Sequence, residues 1–259
     1  MVTLANKIIL ITGASSGLGA RTAELLAEKG AIPILTARSK SKLEQLSQQL
    51  HGEHRVFVMD VQQQQDIEHV VARIIDEYGR IDILLNNAGY GQFTAILDTE
   101  LTEYEQMMDV NYMGTVRCTR AVLPHMLQAG GGQILNVASI AGKFATAKST
   151  SYTATKFAVL GFTNSLRQEL RGTGITVSAM NPGPINTAFF ERADPTGAYV
   201  SNVSGFMLST DKVCRELVRM MEKRREEIDL PRYAGIAMRL YNLFPRLIDR
   251  LTYSFFDRK

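Results

Sequence analysis

Tyr152 and Lys156 stand four residues apart in Tyr152-Thr153-Ala154-Thr155-Lys156, a spacing that puts a phenol and an ammonium on one face of a helix. A free phenol has a pKa of about 10 and is a poor base near neutrality. It exchanges a proton with an alcohol usefully only where a neighbouring cation favours its phenolate. Alone the pair is a weak signal, because nine tyrosines and ten lysines in 259 residues give some such spacing about one time in three.

A second chemical signal lies near the N-terminus, where Thr12-Gly13-Ala14-Ser15-Ser16-Gly17-Leu18-Gly19 joins an apolar run to a helical pattern starting at Ala20. Glycines there let the chain turn tightly and approach a pyrophosphate, while the helix end offers unpaired N–H groups. The spacing Gly-x-x-x-Gly-x-Gly differs from the usual dinucleotide fingerprint, and a plain strand-to-helix turn is the bland alternative. The stretch also reads Gly13-x-Ser15-x-Gly17, the nucleophile elbow of α/β-hydrolases. That reading fails on order: the histidines are His51, His54, His69 and His125, none late in the chain, and too little chain precedes Ser15 for the upstream strands.

At the end of the second apolar run, an NAD(H) site would place an acid to hold the ribose 2′-hydroxyl. Thr36-Ala37-Arg38-Ser39 stands there instead. Arg38 can pair with a 2′-phosphate, so NADP(H) is expected over NAD(H). A solvent-facing arginine is the alternative.

The elements that must position these groups are short β-branched runs alternating with longer amphipathic stretches, the pattern of βαβ units. Strands are expected at Lys7–Thr12, Ile32–Thr36, Val56–Met59, Ile83–Asn86, Gln133–Val137, Thr176–Met180 and Glu227–Leu230. Helices are expected near Gly17–Glu28, Ser41–Leu50, Gln64–Tyr78, Glu103–Ala129 and Tyr152–Thr173. The fold class is α/β: one doubly wound Rossmann-type parallel sheet of about seven strands, spanning 1–259 as one domain. Residues 184–209 lose the pattern and have the length of an active-site lid.

With these motifs in order, the chain resembles the classical short-chain dehydrogenase/reductase family. The resemblance runs from Lys7 to about Thr187: the glycine loop, Asp60, Asn86-Asn87-Ala88-Gly89, Asn111, Ser139, Tyr152 with Lys156, and Pro182-Gly183. Ser139 precedes Tyr152 by the family's usual thirteen residues. The resemblance implies an oxidoreductase in which Tyr152 moves the proton, Ser139 holds the reacting oxygen, and Lys156 also contacts the nicotinamide ribose. Asn111 would hold a water that resupplies protons to Lys156. It further implies that Gly13, Ser15, Ser16, Gly17, Leu18 and Gly19 cradle the phosphates and that Asp60 and Val61 meet the adenine. Asn87, Ala88 and Gly89 would brace the cofactor, Asn86 being structural. Pro182, Gly183, Ile185 and Thr187 would contact the carboxamide and phosphates. Many NADP(H)-preferring members carry a base before the second glycine where this chain has Ser16, which leaves the discrimination to Arg38.

Tyr90, Phe93, Ile140, Phe144, Phe189, Phe190, Tyr199, Phe206 and Met207 make the expected substrate surface apolar and aromatic, suited to a hydrophobic carbonyl or alcohol. A β-ketoacyl thioester is an alternative substrate, and a non-enzymatic NADP(H)-sensing interaction protein an alternative function. Relatives of the family imply a homodimer or homotetramer through the two long helices.

Composition is that of an ordinary globular protein, with 45% hydrophobic and 21% charged residues and a net charge of +3. The tail 231–259 has six basic residues against Asp249 and Asp257, a surplus that leaves the rest of the chain about neutral. Its apolar residues, split by Pro245 into two short amphipathic helices, suit peripheral docking on an anionic membrane; packing on the body or a partner subunit is the other reading. No basic run on a nucleic-acid module is present, so no nucleic acid is expected. Neither is a metal site. Cys118 and Cys214 read as buried reduced thiols, and the lack of a signal or spanning pattern reads as a cytoplasmic protein.

Overall fold

Short runs such as Ile8-Ile9-Leu10-Ile11 are apolar at every position, which suits strands covered by helices on both faces. The computed structural model describes residues 2–243 together with Arg246. Chain order is β1 (Ile8–Thr12), α1 (Gly17–Glu28), β2 (Ile32–Ala37), α2 (Lys40–Gln49), β3 (Arg55–Val58), α3 (Gln64–Tyr78), β4 (Ile83–Asn86), α4 (Leu101–Met108), a π turn (Asp109–Met113) and α5 (Gly114–Gln128). It continues with β5 (Gly132–Val137), α6 (Thr150–Glu169), β6 (Ile175–Pro182), β7 (Ile185–Asn186), α7 (Phe189–Ala193), α8 (Ala198–Val203), β8 (Leu208–Ser209), α9 (Thr210–Lys223), β9 (Glu227–Leu230) and α10 (Arg232–Leu243).

Seven strands form one parallel sheet in the order β3-β2-β1-β4-β5-β6-β9. The winding reverses between β1 and β4, and the crevice at their carboxyl ends is where such sheets take ligands. Alternation along the strands sorts the core into two layers. Ile9, Ile11, Leu35, Leu85 and Leu135 pack with α1 and α9, while Ile8, Leu10, Ile34, Leu84 and Ile134 pack with α3 and α5. Each such fully buried side chain stabilises the fold by about 1.5–3 kcal/mol through area removed from water.

The seven expected strands are the seven of this sheet, with ends unchanged or shifted by one or two residues. β6 runs on through Asn181 and Pro182, carrying its end toward the site. The single helix expected over Glu103–Ala129 is instead α4 and α5 joined by the π turn, so one extra residue is inserted around Asn111. The irregular stretch 184–209 contains two short helices and two short strands that pair with each other.

Helix α9 was not among the expected elements, although Val213, Leu217, Val218, Met220 and Met221 form one buried stripe. It packs on α1, where Arg21 donates to Asp211 at 2.7 and 3.0 Å and the Cys214 thiol meets the Leu18 carbonyl at 3.5 Å. Both cysteines are free and buried. Burial pushes the Cys214 thiol up to about 11 and that of Cys118 up to about 12. The first tail helix is α10; the second, expected after Pro245, lies outside the described residues. Among the described residues no helix is long and apolar enough to cross a membrane.

Candidate active site

The glycine loop is a main-chain surface clamped from behind. The Thr12 hydroxyl accepts from the N–H groups of Asn87 and Ala88, both at 3.0 Å, and the Asn87 amide donates to the Thr12 and Gly13 carbonyls at 2.9 and 3.1 Å. Gly13 turns with φ +66°, and a Cβ there would lie 2.8 Å from Ala88 Cα. Gly19 lies behind the loop, where a Cβ would sit 2.4 Å from the Gly13 carbonyl oxygen. Helix α1 then begins without a side-chain cap from Ser16 and without an acid in its first turn. Its first N–H groups and its positive dipole end are left for an anion, so the residues present fit a dinucleotide pyrophosphate.

At the carboxyl ends of β2 and β3, Arg38 and Asp60 line the same cavity, which has a volume of about 1060 Å³. Asp60 does not cap α3, whose N-cap is Gln63; its carboxylate accepts from the Gln62 N–H at 3.0 Å. Lys42, in the first turn of α2, lines the cavity with Arg38, and neither has a carboxylate partner among the described residues. Sequence reasoning missed Lys42. The signal was its distance of four residues from Arg38 at the start of the helix that follows.

Ser139, Tyr152 and Lys156 come together at the ends of β5 and α6. The Ser139 hydroxyl accepts from the Ala141 N–H at 3.0 Å and donates to the Pro182 carbonyl at 3.3 Å, which caps a 3-10 turn over Ile140–Gly142. The Lys156 ammonium donates to the Val137 carbonyl at 2.9 Å and lies 5.6 Å from the centre of the Tyr152 ring. Burial pushes Lys156 down to about 8. Burial likewise raises the Tyr152 phenol to about 12, with its hydrogen bond to Ser139 pulling it back. At neutral pH the trio is therefore a protonated phenol beside an ammonium close to its own titration, an arrangement that can hand a proton to an oxygen in the cavity.

Asn111, buried in the π turn, does not line the cavity but supports it. Its side chain accepts from the Tyr90 N–H at 3.0 Å and donates to the Tyr90 carbonyl at 2.8 Å and to the Thr155 hydroxyl at 3.0 Å. Gly89 threads between Asn111 and Lys156; a Cβ there would meet Asn111 Oδ1 at 3.0 Å and Lys156 Nζ at 3.9 Å. The other expected residues, Ser15, Ser16, Gly17, Leu18, Val61, Asn87, Ala88, Pro182, Gly183, Ile185 and Thr187, all line the cavity. Asn86 is internal: its amide donates to Asn136 at 2.9 Å and to Thr119 at 3.2 Å.

The wall opposite the glycine loop is aromatic. Phe93 is its hub, with ring centres 4.7 Å from Tyr199, 5.8 Å from Tyr152, 6.2 Å from Phe190 and 6.4 Å from Phe189. Phe189 packs 5.6 Å from Tyr152, and Gly91 makes the room, since a Cβ there would sit 2.6 Å from the Phe189 ring. Helix α7 is fastened by the Phe93 N–H to the Ala193 carbonyl at 2.8 Å. Arg192 stacks 3.6 Å over the Tyr90 ring and pairs with Glu103 at 3.4 Å, a contact the sequence did not announce. Of the aromatic and apolar residues expected here, Met207 alone does not reach the cavity.

Relatives agree with this architecture. A family model described as short chain dehydrogenase matches residues 7–197. An uncharacterized oxidoreductase of Staphylococcus saprophyticus is 39% identical over 191 residues, covering 72% of this chain and 82% of its own. Among solved structures, an actinorhodin polyketide ketoreductase variant with NADPH is 28% identical with TM-score 0.79, covering 89% of this chain and 97% of that one. An alcohol dehydrogenase from the archaeon Thermococcus sibiricus, complexed with 5-hydroxy-NADP, is 26% identical with TM-score 0.77, covering 86% and 95%. With a parallel sheet wound around a glycine loop and a matching model over nearly three quarters of its length, this chain belongs to the short-chain dehydrogenase family.

Proposed function

We propose that this oxidoreductase interconverts a carbonyl and a secondary alcohol on an apolar substrate, with NADP(H) as its nicotinamide cofactor and Tyr152 as the general acid and base. The observation that carries the reading is the convergence of Ser139, Tyr152 and Lys156 on a cavity that the glycine loop lines at one end and aromatic rings at the other. When bound, the cofactor supplies or accepts the hydride. In reduction Tyr152 donates its phenolic proton to the carbonyl oxygen, Ser139 holds that oxygen by its hydroxyl, and Lys156 stabilises the phenolate left behind. Asn111 keeps Thr155 and the Tyr90 turn in place beside Lys156.

The NADP(H) assignment is supported by Arg38 and Lys42, two cations at the end of the cavity where a 2′-phosphate would lie, with no carboxylate against it from the end of β2. Structures of the same fold were crystallised with NADPH, with NAD and with an NADP derivative, so the fold supports a nicotinamide cofactor and the choice between them rests on Arg38 and Lys42. Association into a homodimer or homotetramer is supported by the exposed Leu101 of the short helix α4, Leu127 of α5 and Phe157 of α6, 78%, 45% and 48% accessible.

Incubation with NADPH and a panel of apolar ketones tests the reading. Turnover is expected with at least one ketone, and Tyr152→Phe should lower kcat by about 10³-fold or more while leaving NADPH affinity unchanged. Turnover that survives Tyr152→Phe would overturn the assigned chemistry.

A further inference from the structure

Ser139 is held in place by a closed circuit of contacts that runs through the far edge of the sheet. Its hydroxyl donates to the Pro182 carbonyl at 3.3 Å. Asn181, the residue before Pro182, is fully buried, and its amide donates to Asp229 at 2.8 Å and to Glu227 at 3.1 Å on edge strand β9. Both carboxylates also take the Lys143 ammonium, Asp229 at 2.5 Å. Lys143 is the residue that leaves the 3-10 turn capped by Ser139, four positions on.

The turn has little other freedom. Gly142 lies so close to α6 that a Cβ would fall 2.7 Å from the carbonyl oxygen of Lys156. The circuit is reinforced from outside by α10: a Cβ on Gly235 would lie 2.3 Å from an Asp229 oxygen, and the Tyr241 ring meets Phe144 edge-on at 4.8 Å. Phe144 lines the cavity.

Lys143 is also the cation that neutralises this cluster. Two carboxylates, one of them in Asp229 with an 11% exposed side chain, share the amide of Asn181, and like charges so placed repel unless a cation sits between them. Without Lys143 the two carboxylates, side by side on β9, would turn apart to relieve that repulsion; one would leave the Asn181 amide, which loosens the end of β6 that carries the Pro182 carbonyl.

We propose that Lys143, clasped by Glu227 and Asp229, is a positioning residue that fixes the place of the Ser139 oxygen, whose single proton turns from the Pro182 carbonyl to the reacting oxygen, so that the C-terminal edge of the sheet tunes the oxygen-holding step. This rests on the reading of Ser139 given under Proposed function. The clasp acts on the reacting oxygen through Ser139 and reaches the dinucleotide only at the Pro182-Gly183 end, far from the glycine loop and Arg38, so its loss should appear in kcat before NADPH affinity.

The test compares full-length Lys143→Met, Lys143→Arg and, as reference, Ser139→Ala, each measured for kcat and KM with NADPH and an accepted ketone and for NADPH affinity by fluorescence titration. Lys143→Met should lower kcat between about tenfold and hundredfold, the range in which small misplacements of a catalytic group fall, with NADPH affinity within about twofold of the parent. Lys143→Arg, which keeps the charge, should recover kcat to within about threefold. An unchanged kcat in Lys143→Met, an equal loss of NADPH affinity, or a Lys143→Arg as impaired as Lys143→Met would each overturn the clasp. If Lys143→Met does not fold, Asp229→Asn is read by the same criteria. Full activity in Ser139→Ala would instead remove the reading of Ser139, and the clasp with it; a disabled Ser139→Ala beside a fully active Lys143→Met removes the clasp alone.

Discussion

On one side of the cavity, between Gly13 and Gly89, the wall is main chain fastened to main chain, with Thr12 and Asn87 as the clips. On the other side, between Phe93 and Tyr199, the wall is rings leaning on rings, with few hydrogen bonds among them. A main-chain wall admits almost no adjustment, because a single added carbon meets backbone. A ring wall can repack, since each contact is worth only about 0.5–1.5 kcal/mol beyond area burial. The first suits a ligand of fixed shape, the second one whose outline varies.

Four outcomes would break or sharpen that contrast. The largest is expected from Gly19→Ala. Alanine favours a helix over glycine by about 1 kcal/mol, so any damage must come from its methyl group pressing on the Gly13 carbonyl and the Asn87 amide. NADPH affinity, by titration, should fall about hundredfold or more, the equivalent of about 2.7 kcal/mol. A variant that binds normally would show the wall to be softer than its geometry.

Next comes Phe93→Ala, which removes the hub of the ring wall. KM for an apolar ketone should rise about tenfold with NADPH affinity unchanged, consistent with the loss of several ring contacts. A loss on both axes would mean that the two walls are not independent.

Smaller and more selective is Arg38→Ala. It should raise the dissociation constant for NADPH by about tenfold, with Lys42→Ala costing a few-fold, and leave NADH unaffected. Equal losses for both cofactors would remove the NADP(H) assignment.

The mildest effect is on pH. Lys156 is pushed down to about 8, so its charge is present below that pH and lost as pH rises through it. Tyr152, raised to about 12, keeps its proton throughout. The reductive kcat should be level below pH 8 and decline above it, with the limb belonging to the lysine. A profile flat to pH 10 would show that the ammonium is not needed for the proton transfer.

The same contrast explains what was legible in the sequence. Glycine spacing and apolar runs encode a main-chain wall locally, so the seven strands of the parallel sheet and the loop could be anticipated from residue types. The π turn could not: helical periodicity runs through Glu103–Ala129, and only the packing of Asn111 between Tyr90 and Thr155 exposes the inserted residue. Lys42 escaped because it belongs to no motif, and Arg192 because it acquires its place from a residue distant in sequence. Arg192 meets Glu103 across 89 positions. Helix α9 was legible and was passed over, since Ser209 accepts from the Lys212 N–H at its start and its apolar stripe has the helical period.

The seat of Cys214 on the Leu18 carbonyl turns one thiol into a reporter of the glycine loop's stability. Carried by α9 into its contact with α1 and raised to about 11, it is shielded twice over from alkylating reagents, by access and by the scarcity of thiolate. Labelling then requires α9 to lift from the loop, and its rate under native conditions measures the free energy of that local opening. Cys118, on the buried face of α5 in the opposite layer, is labelled by a different opening and serves as the internal reference. A dinucleotide that grips the loop should slow the labelling of Cys214 more than that of Cys118.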